Sequence, residues 1–266
     1  MTSESYTTLT VERHEAAARI TLARPRVKNA FNEELIAELT RALAALGAED
    51  GVRVVTVTGS GDAFSAGADL NWMKKMAGYD YGENLTDARA LADLLETLYM
   101  LPKPTIAMVN GPAIGGGVGL VAACDIALAS RTAFFSLSEV RLGLVPACIA
   151  PYVIRRIGER FAREYFLTGA RFDAERALEI GLVNGVAAPE ELEAGASEWQ
   201  ERFVRCGPRA LESCKELIAR CSTGEIADLK EYTAKMIADL RISPEGQEGI
   251  AAFFEKRKPT WINDTE

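Results

Sequence analysis

Two short turns carry the residues best suited to chemistry at a bound ligand. The first is Asn110-Gly111-Pro112-Ala113-Ile114-Gly115-Gly116-Gly117, which follows the apolar run Thr105 to Val109 and leads into small apolar residues able to wind as a helix. Consecutive glycines at a strand-to-helix junction permit torsions that a side chain would forbid, and let a ligand come close to the peptide N–H groups. The helix that starts there adds unpaired N–H groups and a positive dipole end, so the stretch reads as a seat for a negative oxygen. The second turn, Ala66-Gly67-Ala68-Asp69, also follows a strand and also offers N–H groups. Two backbone donors converging on one oxygen stabilise developing negative charge without reorganising during the reaction, which is the chemistry of an oxyanion hole.

Other chemistries fit less well. A dinucleotide fingerprint needs glycine where Leu120 stands, and a phosphate loop needs Gly-Lys-Ser/Thr where the chain has Gly-Val-Gly. Ser65, in Ala63-Phe64-Ser65-Ala66-Gly67, lacks the first glycine of a nucleophile elbow, and the only histidine, His14, lies far upstream in an expected loop. The five cysteines are odd in number and show no CxxC, so neither a disulfide framework nor a zinc site is indicated and no metal is expected. Taken alone, Asp125 reads as a structural hydrogen-bonding residue and Cys148 as a small apolar filler. Glu139 reads as a surface carboxylate, and Lys256-Arg257-Lys258 as a solvated helix end.

The elements that must position these turns alternate. Ala18 to Leu22 reads as a half-buried strand. Asn32 caps a helix carrying Leu35, Leu39, Leu43 and Leu46, and Val52 to Thr58 is a β-branched strand. A helix from about Leu85 to Leu101 stops at Pro102, and the strand Thr105 to Val109 then delivers the chain to the glycines. Short strands at Ile126 to Ala129 and Ala133 to Ser136 follow, and another strand begins at Gly181-Leu182-Val183, among helices at Pro151 to Ile157, Phe161 to Leu167 and Ala174 to Ile180. Helical pattern fills Pro189 to Lys258. This order predicts an α/β fold with parallel pairing, divided into a core over 1–190 and a helical region over 191–266. At 266 residues, 48% hydrophobic, the chain can bury a full core. A net charge of −8 disfavours nucleic acid and anionic membrane as partners, no apolar run reaches the ~18 residues of a membrane helix, and the acidic N-terminus lacks a targeting pattern. A cytoplasmic setting is expected.

Phe64-Ser65-Ala66-Gly67-Ala68-Asp69-Leu70, the stretch from Asn110 to Asp125, Leu137-Ser138-Glu139-Val140-Arg141-Leu142-Gly143 and Phe253-Phe254-Glu255-Lys256-Arg257-Lys258 together resemble the enoyl-CoA hydratase/isomerase (crotonase) family, nearly end to end and in family order. The resemblance implies a crotonase fold: a superhelical core of repeated ββα turns and a C-terminal helical region that trimerises, as a homotrimer or a dimer of trimers. It also implies an acyl-CoA thioester substrate, with no cofactor beyond the coenzyme A of that substrate. On this resemblance the N–H groups of Ala68 and Gly116 hold the thioester oxygen, and Ala66, Ala68, Asp69, Leu70 and Asn71 line the pantetheine and adenine path. Lys28, with Phe253 and Lys256 of this or a neighbouring subunit, meets the nucleotide. Glu139 becomes the proton-transfer group.

The chain departs from the family pattern at Gly119, where hydratases commonly carry a second glutamate, and at Pro146 to Pro151, where relatives have a glycine-rich turn. Gly119 and Cys148 are therefore expected to modify the pocket, Gly119 either by altering catalysis or by giving room to an acyl branch. With Glu139 alone, three chemistries stay open: a hydratase with one glutamate, a 3-enoyl to 2-enoyl isomerase, or a substrate that brings its own carboxylate. Local wording is most similar to bacterial 3-methylglutaconyl-CoA hydratases of leucine breakdown. A non-catalytic CoA-ester or RNA-binding protein is the remaining alternative.

Overall fold

The computed structural model describes residues 5–262. Strands β1 (Leu9–His14) and β2 (Ala17–Leu22) form a hairpin around Glu15, whose φ of 51° makes the reversal. On β2 the expected alternation holds: Ala18, Ile20 and Leu22 are buried and the residues between them are half-buried. β1 is an element the sequence did not announce, because only Leu9 is buried along it; antiparallel pairing with β2 makes the strand. His14, expected in a loop, is the last residue of β1, opposite Ala17.

Strands β3 (Val54–Gly59), β4 (Thr105–Val109), β6 (Ile126–Ser130) and β9 (Gly185–Ala187) extend the sheet in the order β1-β2-β3-β4-β6-β9, parallel after β2. A smaller sheet contains β5 (Ala113–Ile114), β7 (Phe134–Ser136) and β8 (Arg171–Asp173). Each turn of chain therefore crosses the large sheet, adds a short strand or bridge at the small one, and returns by a helix. The returning helices are α1 (Glu33–Ala48), α2 (Leu70–Met76) with α3 (Tyr81–Tyr99), α4 (Gly116–Ala123) and α5 (Ala150–Thr168). This is the repeated ββα core that the resemblance implied. Burial on both faces makes β3 and β4 uninterrupted apolar or β-branched runs, with every residue of each buried.

Capping sets several boundaries. The Asn32 side chain accepts from Leu35 N–H, starting α1 as expected. A reciprocal cap between Asp80 and Glu83 starts α3 four residues before the expected Leu85. The two helices expected between Pro151 and Leu167 are one element bent at Gly158, where φ is 75°. Gly181-Leu182-Val183 is not a strand. It is the turn after α6 (Ala174–Glu179), with the Leu182 and Val183 N–H groups donating to Ala177 O, and β9 begins only at Gly185.

Helix α7 (Leu192–Val204) lies beyond the expected boundary at 190 yet packs on the large sheet, with Leu192 and Ala196 against Met108 and Leu128. Helices α8 (Pro208–Cys221) and α9 (Ile226–Ile242) have no buried residue in the single chain, and α10 (Pro244–Glu255) buries only Ala252. One anchor to the core is Lys215 on α8, 2.6 Å from Asp125 and donating also to Lys103 O.

Candidate active site

The proposed donors and acid lie along one ribbon of backbone pairing. Phe31 pairs with Ala68: Phe31 N–H donates to Gly67 O at 2.6 Å and Asp69 N–H donates to Phe31 O at 2.8 Å. Next to it Ser65 pairs with Ala113, β5 pairs with β7, and Gly115 N–H donates to Ser136 O at 2.9 Å. Ala68, Gly116 and Glu139 thus follow the short crossing of three successive ββα turns, at neighbouring positions of one edge. Ala68 N–H donates to no acceptor among the described residues, although the N–H groups on either side of it do. Gly116 is the first residue of α4, whose opening N–H groups have no intrahelical acceptor.

Phe31 braces both donors. Its backbone flanks Ala68, and its ring lies 2.6 Å from where a β-carbon on Gly116 would be. Asn29, fully buried with φ 54°, staples the same loop to the second turn: its amide donates to Ser60 O and Ala63 O, its Oδ1 accepts from Arg24 N–H, and its carbonyl accepts from Ser65 Oγ. Sequence reasoning assigned neither residue a role. Both work through pairings with residues 60–69, which leave no local pattern in the sequence.

Glu139 opens a short 3₁₀ turn after β7, and its carboxyl points back at the glycines. A β-carbon on Gly115 would stand 3.0 Å from Glu139 Oε1, and Gly115 has φ 51°, so only glycine fits there. Glu139 Oε2 is buried without a hydrogen-bond partner. Burial pushes this carboxyl's pKa up, with only its own backbone N–H working the other way. A carboxyl with a raised pKa and an unused oxygen beside free N–H donors is equipped to give and take a proton.

The other expected residues divide. Ala66 is half-buried, with its N–H held by Lys28 O; Lys28, Leu70 and Asn71 are exposed near the ribbon. Asp69 is buried and already engaged, Oδ2 with Arg24 at 2.8 Å and Oδ1 accepting from Asn71 N–H, and these contacts hold its pKa down against burial. Phe253 and Lys256 are exposed on and just after α10, which is tied to the α7–α8 junction through Glu245 and Trp261. The space beside Gly119 is not open to an acyl branch. A β-carbon there would meet Ile149 Cγ2 at 2.3 Å and Leu95 Cδ2 at 3.5 Å. Cys148 donates to Ala88 O at 3.5 Å, and burial raises its pKa, so it stays a thiol. A cavity of about 590 Å³ opens between the end of α3 and α8, bordered by Tyr99, Tyr152, Leu211 and Ile218 and not by Ala68, Gly116 or Glu139.

Residues 12–264 match the family described as enoyl-CoA hydratase/isomerase. This chain belongs to that family. It is 36% identical over 244 residues to enoyl-CoA hydratase AFT6-1 of Alternaria alternata, covering 90% of this chain and 79% of the other. Among solved structures, an enoyl-CoA hydratase from Shewanella pealeana superposes with a TM-score of 0.93 at 41% identity, covering 96% of each chain. Pseudomonas aeruginosa AtuE superposes at 0.94 and 38% identity, covering 97% of this chain and all of that one. The crotonase fold is therefore established, and the chain is an enzyme of the enoyl-CoA hydratase/isomerase type. A non-catalytic role is set aside.

Proposed function

We propose that this enzyme hydrates the 2,3-double bond of an enoyl-CoA thioester, with 3-methylglutaconyl-CoA the acyl group favoured. The single observation that carries the reading is the Glu139 carboxyl, raised in pKa and unpartnered at Oε2, beside the free Ala68 and Gly116 N–H groups. The two N–H groups receive the thioester oxygen and stabilise the charge that collects there as water adds to C3. Glu139 takes a proton from that water and returns one to C2, so that H and OH are gained across the double bond and the carboxylate is restored. Glu139→Gln should lower turnover by about 100-fold or more while leaving CoA-ester binding largely intact. Unchanged turnover would sink the assignment.

A second reading is supported by the filled space at Gly119. With one carboxyl only, Glu139 could move a proton from C2 of a 3-enoyl-CoA to C4, isomerising it to the 2-enoyl ester. Turnover in oxygen-labelled water separates the two, because only hydration puts solvent oxygen into the product.

A further inference from the structure

A second hollow, about 250 Å³, is lined by Ile114, Ser136, Ser138, Arg141, Leu142 and Arg171. Ile114 immediately precedes Gly115, and Ser138 immediately precedes Glu139, so this hollow borders both catalytic segments. Ile114, Ser136 and Arg171 stand in register across β5, β7 and β8, and therefore share one face of the small sheet; the neighbouring row, Ala113, Phe135 and Phe172, is buried on the other. Arg141 reaches the same hollow from the Glu139 turn, its Nε lying 3.0 Å from where a β-carbon on Gly169 would be.

Neither Arg141 nor Arg171 makes an ion pair among the described residues, and Arg171 is held at 4.8 Å over the Phe134 ring. The carboxylates closest in sequence are otherwise placed: Asp173 caps α6, and Glu139 faces Gly115. Ser136 is buried, with its hydroxyl making only a 3.4 Å contact to Gly169 O. Arg141 and Arg171 are both exposed at the rim of this hollow, and an oxyanion seated between two guanidiniums takes forked hydrogen bonds from each. We propose that Arg141 and Arg171, with the Ser136 and Ser138 hydroxyls, seat a carboxylate at the far end of the acyl group, so that the enzyme selects enoyl-CoA esters that end in a carboxylate. This rests on the enoyl-CoA reading above.

The test compares 3-methylglutaconyl-CoA with crotonyl-CoA in the full-length enzyme, in Arg171→Met and in Arg141→Met. The seat predicts that the wild type favours the carboxylate ester, and that each substitution lowers the ratio of the two kcat/KM values by about 10- to 100-fold, the range for losing a charged hydrogen bond. Arg171→Lys should recover part of the ratio. A wild-type preference for crotonyl-CoA, or a ratio that neither substitution moves, overturns the seat. So does a variant that changes only the mass of the assembly, since the arginines would then belong to a contact between copies. If the wild type turns over neither ester, the hydratase reading fails on its own, and calorimetry with glutaryl-CoA against butyryl-CoA still decides the seat. Tighter glutaryl-CoA binding that Arg171→Met abolishes supports it, and equal affinities overturn it.

Discussion

A carboxylate buried without a partner costs the folded state free energy, and Glu139 Oε2 is in that position. Its folded pKa lies above the unfolded one, so its contribution favours the fold while the group is protonated, and that contribution is lost as pH rises through the raised value. Glu139→Gln removes this titration. The gap in Tm between variant and wild type should therefore widen in favour of the variant as pH rises from the ordinary carboxyl range through the raised value, as measured by scanning calorimetry. The same shift displaces the acid limb of the rate profile. If Glu139 acts as a base, kcat/KM falls as pH drops through a pKa higher than that of an ordinary carboxyl, and a limb at the ordinary position would contradict the burial argument.

Among the elements, α4 and the loop before α1 decide how well the donors are held. Gly119→Ala puts a methyl group against Ile149, and overpacking of this kind should cost about 1–3 kcal/mol in denaturant unfolding. Combined with Ile149→Ala it should cost less than the two single changes added together, because the clash is shared. Phe31→Leu keeps an apolar filler but withdraws the ring from Gly116, so kcat should fall about tenfold or more with a smaller change in stability. A loss of stability with kcat unchanged would reduce Phe31 to a core residue. The fold was partly legible here. Asn32 and the leucine spacing announced α1, whereas Phe31 and Asn29 work through pairings with residues 60–69 that no local pattern reveals.

At the scale of the molecule, α8, α9 and α10 leave Ile218, Ile226, Ile242, Phe253 and Phe254 exposed, and almost nothing of these helices is buried in one chain. We propose that these faces are covered in the trimer that the resemblance implies. Light scattering should give a mass near three or six times the 28.8 kDa of one chain, and a monomer at micromolar concentration would rule that assembly out. None of the described helices is long and apolar enough to cross a membrane.

The alternation of strands and helices through the core, the glycine turn and the Ala66 to Asp69 turn were readable in the sequence, because each depends on local torsional freedom or periodicity; β1 was not, and Glu139 stood out only through the family resemblance. The tertiary structure alone decided what stands beside them. Ile149 takes the place beside Gly119, Arg24 holds the Asp69 carboxylate, Phe31 braces both donors, and two arginines from separate turns share one hollow. These neighbours are brought together by successive ββα turns, and contacts between residues far apart in the chain leave no periodic trace in it.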